Sequence, residues 1–298
     1  MSDNQLINIS FPKNISLYMK REDLLHPIIS GNKFRKLKYN LENAKNQNQK
    51  VLLTFGGAFS NHIVAVAGAG NEFGFTTIGI IRGEELADKI DQNPSLLKAQ
   101  QLGMTFVFVS REHYRQKESP DFIKQLRNDF GEFYLLPEGG TNELAIKGCE
   151  EILSLSDSDF THICSSVGTG GTITGIINSS AINQNIIGFS SLKGDFIQND
   201  IAKFANKQNW SVNCDYHFGG YGKVTEELID FINSFYLEHH IHLDPIYTGK
   251  MMFGIMNLIE NDFFSANSKI LAIHTGGLQG IAGMNIALDK KGKTKLII

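Results

Sequence analysis

His162-Ile163-Cys164-Ser165-Ser166 leads through Val167 into Gly168-Thr169-Gly170-Gly171-Thr172 and then into a helical pattern. A β-rich run that ends in glycines and opens a helix is the unit from which parallel, helix-covered sheets are built. The backbone N–H groups at such a helix start, with the helix dipole, form an anion site, and two threonine hydroxyls add donors. No Gly-Lys-Ser/Thr follows, so the loop is not a P-loop, and it lacks the GxGxxG pattern with a downstream acid. Taken alone it also reads as a bare glycine-rich turn. Thr169 and Thr172 framing the glycines favour one compact phosphate.

The same alternation extends to both sides. Val51 to Phe55, Thr76 to Ile81, Thr105 to Val109, Phe133 to Leu136, Ile186 to Ser190 and Ile270 to His274 read as further strands. Helical patterns separate them, including one expected over Leu144 to Leu155. Near-continuous apolar strands point to parallel sheets covered on both faces, so the class is α/β. No internal repeat or low-complexity linker interrupts the chain.

With 298 residues, one large or two closely joined domains are expected. Apolar residues make up 42% and charged residues 20%, ordinary for a globular protein. A net charge of -3, with basic and acidic residues interspersed, argues against a nucleic-acid surface. Cys149, Cys164 and Cys214 show no CxxC spacing and read as free thiols in a reducing compartment. No signal-peptide pattern opens the sequence and no apolar run reaches the ~20 residues that span a bilayer, so a cytoplasmic location is expected. No metal-ligand spacing stands out.

Ligands of such sheets gather beyond the carboxyl ends of strands. Besides the threonine–glycine loop, three segments carry unusual chemistry. Ser30-Gly31-Asn32-Lys33-Phe34-Arg35-Lys36 places three cations within four positions. It reads either as a solvated helix start or as a lysine whose pKa burial and neighbouring cations lower, freeing the amine for imine chemistry. Gly56-Gly57-Ala58-Phe59-Ser60-Asn61-His62 ends a strand, and its Ser60 or Asn61 either caps the next helix or helps cradle a carboxylate. Asp244-Pro245-Ile246-Tyr247-Thr248-Gly249-Lys250 sets a phenol near a cation, suited to proton transfer or to ordinary loop packing. His274-Thr275-Gly276-Gly277 offers small residues where a ring has to fit. A lysine and a monophosphate cradle on one scaffold make joint sense with an aldehyde cofactor.

These segments, with Lys20 to Asp23, Leu136 to Asn142 and Gly219 to Gly222, occur in the order found in a known family. The chain resembles the fold-type II pyridoxal-phosphate enzymes related to tryptophan synthase β, within them the 1-aminocyclopropane-1-carboxylate deaminase and D-cysteine desulfhydrase group. The resemblance implies two open, mostly parallel sheets covered by helices. It implies a larger cofactor-binding domain (1–35 and 146–298), a smaller mobile domain (36–145) and a homodimer. Pyridoxal 5'-phosphate is the implied cofactor, with Lys33 in the Schiff-base position and Lys36 as a phosphate contact. Gly168, Thr169, Gly170, Gly171 and Thr172 match the phosphate loop, and Asn61 the partner of the ring hydroxyl. Ser60 matches a serine beside the substrate carboxylate, Tyr247 a tyrosine placed for proton transfer, and Tyr221 a second tyrosine near the site.

Thr248 falls where the resemblance puts the partner of the pyridine nitrogen, a position that resembles a glutamate in the cyclopropane deaminases. Threonine only hydrogen-bonds, leaving a weaker electron sink suited to β-elimination from a small amino acid, D-cysteine being the expected example. The alternatives are 1-aminocyclopropane-1-carboxylate deamination and a non-catalytic cofactor-binding paralogue.

Overall fold

The computed structural model describes residues 2–298. Its strands are β1 (Asn4–Leu6), β2 (Ser16–Lys20), β3 (Val51–Gly56), β4 (Thr76–Arg82) and β5 (Met104–Val109) in the first half of the chain. β6 (Tyr134–Leu136), β7 (His162–Val167), β8 (Asn185–Ser190), β9 (Trp210–Asn213) and β10 (Lys269–Ile273) follow. They form a six-stranded sheet of order β1-β2-β10-β7-β8-β9 and a four-stranded sheet of order β5-β4-β3-β6. Every pairing is parallel except β1 with β2. The fold is thus α/β of the fold-type II kind, with two open and mostly parallel sheets.

The apolar runs become the expected central strands because helices cover both faces: Leu52, Leu53 and Phe55 of β3 and Ile163, Cys164 and Val167 of β7 are all buried. β1, β2 and β9 escape the sequence patterns for identifiable reasons. β1 is three residues long and largely exposed. β2 ends in Lys20, which looks solvent-facing in sequence but is 2% exposed, its ammonium 2.9 Å from the buried Asp157 carboxylate.

The helix expected from Leu144 to Leu155 stops early. Five helices position the site: α1 (Asn32–Asn46), α2 (Asn61–Phe73), α3 (Glu143–Cys149), α4 (Gly171–Ser179) and α5 (Thr248–Glu260). After α3 the chain continues in two 3-10 turns, Glu150–Ile152 and Leu155–Asp157. Ser154 and Asp157 form a capping box that restarts the chain, and Asp157 is fixed in turn by Lys20. A serine and an aspartate three apart are better satisfied at a helix start than within one.

Glycines let these helices approach. A Cβ on Gly148 of α3 would lie 2.0 Å from the Arg35 carbonyl oxygen of α1. A Cβ on Gly175 of α4 would lie 2.5 Å from the Cys149 Cβ. α1, α3 and α4 therefore touch backbone to backbone, which brings the lysines at the start of α1 to the glycine loop before α4.

Candidate active site

The carboxyl ends of β3, β4, β6, β7 and β10 open onto one cavity of about 500 Å3. Its wall includes Lys33, Lys36, Ser60, Asn61, Gly168, Thr169, Gly170, Thr172, Tyr221 and Tyr247. Residues far apart in the chain are thus gathered at the place where this sheet type binds ligands. Gly171 is buried as the first residue of α4, just behind the loop.

Thr248 does not line the cavity. It is fully buried, its hydroxyl donating to Asp244 Oδ2 at 2.7 Å while accepting from the Asp244 N–H at 2.8 Å. Asp244 also accepts from the N–H groups of Ile246, Tyr247 and Thr248, so the pair closes the start of α5 and holds Tyr247 in place. The hydroxyls that do reach the cavity nearby belong to Ser166 and Thr275, 3.2 Å apart. Thr275 was visible in the His274–Gly277 motif only as a small residue. Its orientation depends on Gly276 and Gly277, which have φ of +77° and +89°.

Electrostatics distinguish the two lysines. Lys33 Nζ donates to the Gly139 carbonyl at 3.4 Å, and burial, helped by the nearby Lys36 charge, holds its pKa well below the ordinary lysine range. Burial thus favours the free amine over the ammonium. Lys36 Nζ donates to the same carbonyl at 3.1 Å, to Thr141 Oγ1 at 2.9 Å and to Thr169 Oγ1 at 3.4 Å. Burial lowers its pKa to about 8. Lys36 thus stands on the glycine loop itself, beside the N-terminus of α4, while Asn32 Nδ2 donates to Thr172 Oγ1 at 2.8 Å. Lysine, threonines and free helix N–H groups are what a phosphate dianion requires.

The opposite wall is formed by the start of α2, where Ser60 caps the helix by accepting from Ile63 N. Two buried polar atoms here have no hydrogen-bond partner in the protein, Asn61 Oδ1 and His62 Nδ1. Thr54 Oγ1 donates to the Leu136 carbonyl at 3.0 Å and lies 2.8 Å from His62 Nε2. Burial, then Lys33 and Lys36, holds the imidazole well below its ordinary pKa against the opposing effect of the Pro137 carbonyl. Unmet buried polar atoms cost about 1–3 kcal/mol each and so mark where a ligand supplies partners. The sequence motif by itself gives His62 no role of its own.

Tyr247 and Tyr221 meet edge to face with centroids 6.1 Å apart. Burial pushes the Tyr247 phenol well above its usual value, and it stays protonated. A Cβ on Gly168 would come within 3.0 Å of the Tyr247 ring, so any side chain there would press the phenol away from the loop by a few tenths of an ångström. The loop carrying Tyr221 is fastened from below by Lys250, whose buried ammonium donates to the His217 and Gly220 carbonyls, both at 2.9 Å.

The chain resembles known proteins along most of its length. Residues 5–276 match the family described as "Pyridoxal-phosphate dependent enzyme". A protein of Pyrococcus horikoshii, provisionally named a 1-aminocyclopropane-1-carboxylate deaminase, is 31% identical over 92% of this chain and 88% of its own length. The mitochondrial bifunctional D-cysteine desulfhydrase/1-aminocyclopropane-1-carboxylate deaminase of Arabidopsis thaliana is 30% identical over 91% of this chain and 74% of its own. The crystal structure of an ACC deaminase homologue superposes with a TM-score of 0.79 at 25% identity, covering 94% of this chain and 90% of that one.

Proposed function

The chain belongs to the pyridoxal-phosphate-dependent enzymes, and on that premise we propose that it carries out β-elimination on a small D-amino acid such as D-cysteine. The net reaction takes substrate and water to pyruvate, ammonia and the departing β-substituent, sulfide in the case of D-cysteine. The carrying observation is that the cavity offers hydroxyls but no free carboxylate among the described residues. Glu138, in the wall, is engaged by Tyr114 at 2.8 Å and Lys117 at 3.3 Å, and Asp244 is closed on α5. Hydroxyl partners such as Ser166 and Thr275 would leave a pyridine nitrogen unprotonated, which suits loss of a good leaving group better than opening of a cyclopropane. In this reading Thr275 takes the part that the resemblance implies for Thr248.

The residues present fit the cofactor. Lys33 would hold it through an amine whose pKa burial lowers, and Lys36 with Gly168 to Thr172 would hold its phosphate. Asn61, whose Oδ1 has no partner in the protein, would meet its ring hydroxyl. When bound, pyridoxal phosphate supplies the sink for electrons released at Cα. Ser60 and the start of α2 bind the substrate carboxylate. Lys33 and the protonated Tyr247 are the two groups placed to move protons, and Tyr221 supports Tyr247 at the cavity mouth. Closure of the part spanning 36–145 and assembly as a homodimer belong to the same proposal.

Product assays with D-cysteine, L-cysteine, D-serine and 1-aminocyclopropane-1-carboxylate test it. Pyruvate from D-cysteine and no 2-oxobutyrate from the cyclopropane is the expected result. The reverse would establish the second reading, cyclopropane deamination, which the names of the two relatives favour.

The phosphate cradle has its own pH signature. A phosphate dianion favours the protonated form of Lys36, so above a pKa of about 8 binding takes up a proton and weakens as pH rises. The apoprotein should therefore lose affinity for pyridoxamine phosphate above about pH 8, by up to about tenfold per pH unit. This ligand has no aldehyde and leaves Lys33 out of the titration. Lys36→Met should bind weakly with no such slope; an unchanged slope in the variant would remove Lys36 from the phosphate site.

A further inference from the structure

Arg82 is the last residue of β4, and its side chain lines the cavity. Among the described residues no carboxylate lies within salt-bridge distance of its guanidinium, and none of its N–H groups has a hydrogen-bond acceptor. The acidic residue of the cavity wall, Glu138, is already engaged by Tyr114 and Lys117. Arg82 is an exposed residue, and its guanidinium rests against the protein on one side. It stands 5.6 Å over the centroid of the buried Tyr114 ring, with Nη2 3.5 Å from where a Cβ on Gly57 would be. Gly57 belongs to the loop that ends in Ser60 and Asn61, and Arg82 also acts on the Tyr221 phenol. The cation therefore faces the substrate side of the cavity, between the start of α2 and the tyrosine pair.

The other charge requirements of the reaction have their own partners. The cofactor phosphate has Lys36, the threonines and the N-terminus of α4. The substrate α-carboxylate has Ser60 and the N-terminus of α2. Arg82 is left over, with five donors in a planar fork that matches a carboxylate or phosphate. We propose that Arg82 binds a second anionic group on the substrate, so that the preferred substrate is an amino acid whose β-substituent ends in an oxyanion. The inference rests on the amino-acid β-elimination reading above. The elimination itself is unchanged: the Cα proton goes to the enzyme base, the Cβ bond breaks with its electron pair leaving on the substituent, and water completes hydrolysis to pyruvate and ammonia.

The test is a titration of the cofactor-loaded enzyme with aspartate and asparagine, in both configurations, followed by the change in the visible cofactor band. The pair differ in charge at nearly constant shape. Aspartate of the accepted configuration should bind at least about tenfold more tightly than asparagine, the range expected of a charge-assisted hydrogen-bonded pair. Arg82→Met should bring the aspartate-to-asparagine ratio to about one while the cofactor band stays in place, and Arg82→Lys should restore part of the preference. Equal affinities in the unaltered enzyme, or an Arg82→Met variant that weakens both ligands alike, would overturn the inference alone. A band that no amino acid perturbs would overturn both it and the β-elimination reading.

Discussion

Alanine in place of Lys33 should abolish turnover, with a loss of at least about 10²–10⁴-fold, the range contributed by a positioned proton-transfer group alone. The loss should exceed that range, because in the proposed site the same side chain also holds the cofactor. The amine suits both tasks because burial and the neighbouring Lys36 lower its pKa well below the ordinary lysine range. Its single polar contact with the protein is a long one to Gly139 O, so removing the side chain breaks no structural network. The variant should therefore keep the unfolding midpoint of the parent apoprotein and still bind pyridoxal phosphate through the glycine loop. Small added amines should restore part of the rate. Near-parental turnover in the purified variant would exclude Lys33 from catalysis.

Gly31→Ala should be the most damaging single methyl group in the site, although Gly31 makes no side-chain contact. Its φ of +62° and ψ of -137° lie in a region that residues with a Cβ rarely enter. The added Cβ would also fall 2.0 Å from the Thr275 carbonyl oxygen and 2.6 Å from the Gly276 nitrogen. That close approach exists because the Asn32 N–H donates to the same Thr275 oxygen at 3.2 Å, clamping the start of α1 to the loop after β10. Backbone strain costs about 1–3 kcal/mol, and overpacking against rigid backbone a further ~1–3 kcal/mol. Denaturant unfolding should show a loss of about 2–6 kcal/mol. Lys33 lies two residues on, so cofactor affinity should fall with stability. Parental stability in Gly31→Ala would mean that the clamp between α1 and the loop yields readily.

The strands that decide the class were legible because burial on both faces leaves an unmistakable apolar run, as in Val51 to Phe55. The loops were legible because glycines, threonines and lysines stand at strand ends where bare connections do not need them. What escaped depends on three-dimensional accounting. Thr248 and Thr275 are both threonines in motif loops; only the bonds from Asp244 show that the first is occupied and the second faces the cavity. The unpartnered Nδ1 of His62 emerges only when every group around the buried ring is placed. Arg82 looked like an ordinary strand-end cation, and its want of a partner is a statement about every acid around it. β2 was hidden by Lys20, whose partner Asp157 lies 137 residues away.

Borohydride reduction of the cofactor-loaded enzyme, followed by peptide mapping, tests the role of Lys33 most directly, because it fixes the cofactor to whichever lysine holds it. The predicted result is a yellow enzyme whose visible band disappears on reduction, with the pyridoxyl adduct on the peptide carrying Lys33. An adduct on Lys36 or Lys250 instead, or no adduct from a protein saturated with pyridoxal phosphate, would contradict it.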